Sequence, residues 1–352
     1  MKIVILADAW QPITGGGQKL FLELVTRLAK DHGCQITVIT RALKHQGKIY
    51  KKTEKLLNNQ LAIIRLGPPA KWPNFLARIW FTFQSAFHAL KLKPDLYLAS
   101  TFLPAFSLKI IKLFKKTPQA LVVIGFGAQN KLYRLLEKLI TQKLKFDLTI
   151  TDDTVYFKKV KNTKNIKLIP NGVSLPKQKA VKKWPDFTFL FVGRNEPRKG
   201  VNVLQQAFKS LKKSHPQVKL RLIGPGFNLV SQQKLHQEFF KAHCFVLPSL
   251  REGHPLVLFE AWAHQLPVIA TKVGSLSSFV TEKNGYLVPA NDPQALKQAM
   301  QKAINNKNLN SLGKNGYQLI KQKYTWQKTT DKYYQALFNL YQPTINLQGE
   351  TL

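Results

Sequence analysis

The sequence predicts an α/β protein built as two doubly wound parallel-sheet domains. Three observations carry this. Strand and helix patterns alternate along most of the chain, the series stops and restarts after a Pro- and Asn-Gly-containing stretch, and 352 residues suffice for two hydrophobic cores. Hydrophobic residues make up 44% and aromatics 11%, against 20% charged, which excludes disorder, collagen-like repeats and low-complexity tracts. The two cysteines, Cys34 and Cys244, lie far apart in apolar runs. That excludes a disulfide scaffold and a Cys-based metal cluster, and it fits a reducing cytoplasm.

The first apolar run, 2–7, reads as a buried strand; it is too short for a signal peptide and no small-residue cleavage site follows it. A turn containing Pro12 and Gly15-Gly16-Gly17 comes next, then a helix over 19–30 with Leu20, Leu24, Val25 and Leu28 at helical spacing, then a strand over 35–40. Strand, glycine turn, helix, strand is a βαβ unit, which requires a parallel sheet with right-handed crossovers. The alternation continues with strand 62–66, helix 74–92, strand 96–100, helix 105–115, strand 120–124, helix 130–143 and strand 148–151. Residues 170–185, with Pro170, Asn171-Gly172 and Pro176, read as the interdomain linker. The second series has strand 187–192, helix 201–215, strand 220–223, helix 231–242, strand 244–247, helix 256–264 and strands 267–270 and 285–288. Helices over 293–305, 309–323 and 329–340 close it, the last with Tyr333, Leu337, Leu340 and Tyr341 on one face that should pack back across the interdomain groove. The domains are drawn at 1–178 and 179–328, with the tail 329–352 returning to the first.

Lys and Arg number 54 against 18 Asp and Glu, a formal net charge of +36. Nucleic acid, an anionic membrane surface, an anionic substrate and a Lys-rich coding bias are all consistent with such an excess. Only 9 of the cations are Arg, and zinc-finger spacing, RNP-like aromatic motifs and basic coiled coils are absent, so nucleic-acid readout is disfavoured. The aromatic-rich stretch 75–90 is interrupted by Arg78, Gln84 and His88 and falls short of the roughly 18–20 apolar residues of a spanning helix. It bears Phe75, Trp80, Phe81, Phe83 and Phe87, with Lys71, Arg78, Lys91 and Lys93 as basic flanks. Two readings stand side by side: an interfacial helix on an anionic leaflet, and a core helix with a solvated basic rim.

Three clusters carry chemistry. Gly15-Gly16-Gly17 at a strand-to-helix turn is either a flexible turn or a place where bare amides approach a phosphate; it matches neither the dinucleotide nor the Walker spacing. Gly193-Arg194-Asn195-Glu196-Pro197-Arg198-Lys199-Gly200 concentrates cations at the carboxyl end of a strand, where open α/β sheets bind ligands. This suits a pyrophosphate, against the plainer reading of a solvated basic turn. Arg194 and Lys199 are expected to be exposed and to contribute little to folding. The third cluster, Pro248 to Ala261, places Glu252 before a helix and Glu260 about one turn inside it. Carboxylates accept hydrogen bonds from paired hydroxyls, while the helix start offers amides to phosphate; the plainer reading of Glu252 is a first-turn acid on the helix dipole.

Together these clusters resemble the family-four retaining glycosyltransferases of GT-B fold, the glycosyl transferases group 1. The resemblance rests on Glu252-x7-Glu260 with Ala261-Trp262-Ala263 and Leu266-Pro267-Val268-Ile269-Ala270-Thr271, on Gly193-Arg194 through Lys199-Gly200, on Ile169-Pro170-Asn171-Gly172-Val173 and on Asn284-Gly285-Tyr286-Leu287-Val288. It runs from about residue 2 to 341. It implies two Rossmann-like domains facing across a cleft, the first on the acceptor side and the second binding a nucleotide sugar. It implies that Arg194 and Lys199 stabilise the departing diphosphate, that Glu252 holds hydroxyls of the donor sugar and Glu260 those of the ribose, and that Gly16 and Gly17 face the same phosphates. Gly193, Gly253, His254, Leu256 and Val257 complete the implied donor site. No metal and no cofactor are implied, the nucleotide sugar being a substrate, and the anomeric configuration is retained.

Three stretches depart from the family pattern. Gly125-Phe126-Gly127 stands where His-Gly is frequent, Gly274-Ser275-Leu276-Ser277-Ser278 where Gly-Gly-x-x-Glu is frequent, and 17 residues separate Gly226 from Cys244 where relatives fit an extra helix and strand. The function expected is transfer of a hexosyl-type sugar to a lipid-linked or cell-envelope glycan, in the cytoplasm and peripherally on the inner face of the cell membrane. The alternatives are a soluble enzyme making a small glycoside, and a catalytically weakened cationic protein that binds a glycan or anionic polymer.

Overall fold

The computed structural model describes residues 1–10, 16–42, 44–45, 48–49, 52–67, 74–100, 102–124, 135, 144–160, 165–177 and 181–348. The chain divides into two compact units, Met1–Pro170 with Gln327–Leu352, and Asn171–Trp326.

The first unit holds β1 (Lys2–Ala7), α1 (Gly16–His32), β2 (Gln35–Arg41), a small hairpin of β3 (Lys44–His45) and β4 (Lys48–Ile49), β5 (Thr53–Leu56), β6 (Leu61–Leu66) and α2 (Asn74–Leu90). It continues with β7 (Leu96–Ser100), α3 (Phe102–Phe114), β8 (Gln119–Val123), β9 (Leu148–Thr151), α4 (Thr154–Val160) and β10 (Ile166–Leu168). The sheet order is β10-β9-β8-β7-β1-β2-β6-β5, parallel except for the antiparallel β5–β6 edge. The apolar runs read as strands are these strands, shifted by a residue at some ends. β5 escaped the apolar pattern because it is a polar edge: Thr53-Glu54-Lys55-Leu56 is mostly exposed, and a turn with Leu57, Asn58 and Asn59 at positive φ leads from it into β6. A charged edge of this kind also blocks pairing with a second sheet. The helix expected over 130–143 and the Gly125-Phe126-Gly127 stretch lie outside the described residues, apart from Leu135.

Alternating side chains of these strands feed two cores. α1 supplies Leu24, Val25 and Leu28 to one face, and α2 and α3 supply Phe81, Ala86, Leu108 and Ile111 to the other. The face that receives α1 also receives Tyr333, Ala336 and Leu337 from the last helix of the chain, while Asp331 of that helix meets His32 at 3.1 Å.

The second unit holds β11 (Thr188–Val192), a 3₁₀ turn (Pro197–Lys199), α5 (Val201–Lys212), β12 (Lys219–Ile223), α6 (Gln232–Lys241), β13 (Cys244–Leu247) and α7 (Leu256–Ala263). β14 (Val268–Thr271), α8 (Leu276–Phe279), β15 (Gly285–Val288), α9 (Pro293–Asn305) and α10 (Leu309–Lys323) complete it, and α11 (Trp326–Gln348) carries the chain back to the first unit. Its five strands are all parallel in the order β12-β11-β13-β14-β15. α5 and α9 cover one face and α6, α7 and α8 the other, so the sheet is doubly wound. The short Gly226–Cys244 segment holds only α6.

α10 reaches this core through glycine. A β-carbon at Gly316 would lie 2.1 Å from Cδ1 of Trp262, a fully buried ring whose Nε1 donates to the Asn284 carbonyl oxygen. Ala favours an exposed helix over Gly by about 1 kcal/mol, but overpacking a core costs about 1–3 kcal/mol. Gly316→Ala is therefore expected to lower the denaturant midpoint of the second unit; a midpoint unchanged or raised would show that α10 does not press on Trp262.

Candidate active site

In an open α/β sheet, neighbouring strands whose connections leave in opposite directions open a crevice at their carboxyl ends, and ligands bind there. In the second unit that point lies between β11 and β13, because the chain runs from β11 outward to β12 and then crosses to the other side. The loops at 193–200 and 248–255 leave from these two strands, and the loop at 272–275 follows β14 beside them.

Glycine lets the three loops touch. Gly200, at φ 65°, ends the 3₁₀ turn, and a β-carbon there would lie 1.9 Å from the carbonyl oxygen of Pro248. Gly274, at φ 52°, would place one 1.8 Å from the carbonyl oxygen of Glu252. Both positions require the left-handed backbone and the missing β-carbon. Hydrogen bonds close the seams: Leu250 N–H donates to the Arg198 carbonyl oxygen at 2.8 Å, Thr271 Oγ1 to that of Ser249, and Ser275 Oγ to that of Gly253.

Glu252 stands at the centre of this arrangement. Lys199 Nζ and Ser249 Oγ both donate to its Oε1, each at 2.6 Å. The Lys199 side chain is 13% exposed and that of Glu252 6%, which corrects the expectation that Lys199 is an exposed cation. Arg194 is the exposed one, at 55%, and its Nη1 lies 3.0 Å from Glu196 Oε1. Arg198 Nε meets the other oxygen of Glu196 at 2.8 Å. Partial burial alone would raise the Glu196 carboxyl, but the hydrogen bonds from the two arginines outweigh it and hold the carboxyl below its ordinary value.

α7 begins at Leu256 after Pro255, with no side-chain cap, so the first amides of the helix, at Leu256 and Val257, keep no capping side chain. Glu260 is its fifth residue and half-buried, and its carbonyl oxygen accepts from His264 Nδ1 at 2.6 Å. The His254 ring turns inward, edge-on to Phe259 and Phe279 at 4.7 and 5.2 Å between centroids. It therefore offers backbone rather than imidazole to a ligand. Burial pulls His254 down to about 4, and burial does the same to His264, against which His236 Nδ1 sits at 2.8 Å.

The segments that carry Gly193, Arg194, Lys199, Glu252, Gly253, His254, Leu256, Val257 and Glu260 thus follow the carboxyl ends of β11 and β13, and the fold brings Lys199 and Glu252 into contact. Gly16 and Gly17 belong to the first unit, where Gly16 starts α1 and Gly17 faces Ile124, 3.5 Å from a built β-carbon; Gly15 lies outside the described residues. Ser249, the second partner of Glu252, carries no signal in the sequence, where nothing tells a buried hydroxyl from a loop serine. Among the described residues no group of three His, Cys, Asp or Glu side chains could hold a metal ion.

Residues 175–319, which lie within the second unit, match the model of the family described as Glycosyl transferases group 1. The chain is 29% identical over 164 residues to the capsular polysaccharide biosynthesis glycosyltransferase CapM of Staphylococcus aureus, covering 40% of this chain and 43% of that protein. It is 27% identical over 202 residues to the UDP-Gal:alpha-D-GlcNAc-diphosphoundecaprenol alpha-1,3-galactosyltransferase of Escherichia coli, covering 47% of this chain and 52% of the other. These alignments span about half of each relative. The fold matches the solved sucrose-phosphate synthase of Thermosynechococcus elongatus with a TM-score of 0.79 over 97% of this chain and 100% of that one, at 19% identity. The architecture is GT-B.

Two measurements check the electrostatics. Lys199→Met leaves a mostly buried carboxylate without its cation and is expected to cost about 3 kcal/mol in unfolding free energy, most of it recovered in Lys199→Met/Glu252→Gln, whereas Arg194→Ala should cost less than about 1 kcal/mol. Equal costs for the two single variants would contradict the buried pair. His254 and His264, neutral when folded down to about pH 4 but protonated near 6.5 when unfolded, favour the folded state fully above about 6.5 and progressively less toward 4. Each should remove on the order of 3 kcal/mol across that window, and His254→Leu should flatten the measured pH dependence by roughly half.

Proposed function

We propose that the protein is a retaining glycosyltransferase that moves a hexosyl-type sugar from a nucleotide-sugar donor to a lipid-linked or cell-envelope glycan acceptor at the cytoplasmic face of the membrane. The observation that carries this is the Lys199–Glu252 pair at the crevice between β11 and β13, beside the uncapped start of α7. A departing nucleoside diphosphate gains negative charge as the glycosidic bond breaks, and a fixed ammonium with helix-start amides stabilises that charge more in the transition state than in the ground state. Lys199 would exchange its carboxylate partner for the diphosphate, and Arg194 would add a second cation from the rim. Glu252, released from the ammonium, would accept hydrogen bonds from hydroxyls of the donor sugar, and Glu260 from those of the ribose. This division asks for no metal ion and no protein nucleophile.

The relatives support the acceptor and donor classes by analogy: one is named for capsular polysaccharide biosynthesis, the other for transfer from UDP-Gal to a diphosphoundecaprenol-linked sugar. The residue roles have their own test. Glu260→Gln is expected to weaken binding of free nucleoside diphosphate about tenfold, because the ribose remains in that ligand, while Glu252→Gln should spare it and impair the nucleotide sugar. Calorimetric titration of both variants with UDP and with a UDP-sugar decides the matter. Equal losses would contradict the division of roles, and no loss with either ligand would favour a binding protein on this scaffold.

A further inference from the structure

α2 is apolar on the side that faces away from the sheet. Its inward side packs Phe81, Ala86 and Ala89 into the core. Its outward positions Leu76, Ile79, Trp80, Phe83 and Phe87 follow one another at i, i+3, i+4, i+7 and i+11 and are 37 to 55% exposed. That line is about 16 Å long. α3 lies beside α2 on the same face of the sheet and ends in Leu113, 80% exposed, and Phe114, 65% exposed. The carboxyl-terminal ends of the two helices are joined where Lys115 Nζ donates to the Leu92 carbonyl oxygen at 2.9 Å. Phe87 and the α3 tip therefore share one end of the unit.

Arg78, Gln84 and His88 lie between the two apolar sides, and an exposed apolar line of this kind marks a surface for contact with protein or lipid. The residues around this end are cationic. Lys91 and Lys93 follow α2 and are exposed, Lys116 follows α3 and is exposed, and Lys112 reaches Asp147 at 2.9 Å. Aromatic side chains ringed by lysines match the boundary of an anionic leaflet, where rings settle at headgroup level and each cation gains from the surface potential. No helix among the described residues is long and apolar enough to cross a membrane.

We infer that the outward face of α2 and the tip of α3 form a two-point dock for an anionic phospholipid surface. The inference names the surface that would bring the proposed transferase to its acceptor, and its binding test does not depend on turnover. The charge complementarity selects lipid over a second copy of this chain, since a chain of net charge +36 repels its like.

Flotation of the full chain with vesicles of phosphatidylcholine alone, and of phosphatidylcholine mixed with phosphatidylglycerol, tests it. Binding is expected to the mixed vesicles, weakening as salt rises, with Phe83→Ser/Phe87→Ser and Leu113→Ser/Phe114→Ser each reducing it at least about tenfold. The blue shift of tryptophan emission on binding should be lost in Trp80→Phe. Stabilisation by UDP, measured on the same variants, must stay at the wild-type level; this separates failure of the dock from failure of the sugar-transfer reading. Three results would overturn the inference: equal vesicle binding by wild type and both double variants, which would reduce it to diffuse charge; no binding to mixed vesicles; or self-association through this face that the double variants abolish, without vesicle binding.

Discussion

The carbonyl oxygens of Pro248 and Glu252 lie 1.9 and 1.8 Å from where β-carbons on residues 200 and 274 would stand. This closeness, open only to glycine with a left-handed backbone, governs the rest of the candidate site. It brings the loops after β11, β13 and β14 into contact, and so lets Lys199 and Glu252 meet at 2.6 Å although 53 positions separate them. Two charges buried to this degree are tolerable as a pair and costly singly. The pair in turn fixes the Glu252 side chain, with the buried Ser249 hydroxyl holding the same oxygen. The loop backbones are thus held together by close packing, while the two charged side chains are held by each other and by Ser249, so that in the proposed reaction only the side chains would have to change partners.

Much of the architecture could be read from periodicity, for a physical reason. Strands buried on both faces, such as Leu96–Ser100 and Cys244–Leu247, are continuous apolar runs bounded by turn residues, and helices on a sheet show one apolar stripe. β5 could not be found in this way, because a polar edge strand gains its place from a partner's backbone rather than from its own side chains. The candidate site residues stand out in the sequence as types in a spaced pattern, but the pairing of Lys199 with Glu252 does not. Lys199 reads as one more surface lysine among 45, and only the approach of Gly200 to Pro248 turns it inward. His254 shows the opposite displacement: a polar residue in a loop of charged neighbours, drawn by Phe259 and Phe279 into an aromatic cluster.

α2 marks a different boundary of legibility. Its composition supports both a core helix and an interfacial one, and the sequence alone does not separate them. In the fold the helix has two unlike apolar sides: Phe81, Ala86 and Ala89 are core, while Trp80, Phe83 and Phe87 are about half exposed.

The first unit is discontinuous in the chain, made of residues 1–170 and 327–352, with the whole second unit synthesised in between. Tyr333, Ala336 and Leu337, all buried in the core that also holds Ile5, Leu28 and Leu98, leave the ribosome only after that second unit. Domains of nascent chains generally fold as they emerge, the amino-terminal one first. Here the order is inverted: the second unit has nearly all its elements before the first can close its core. Until then the sheet face of β1 and β7 lacks part of its cover. Nascent chains stalled before residue 327 should therefore be the species most in need of a chaperone, although the second unit is by then fully made.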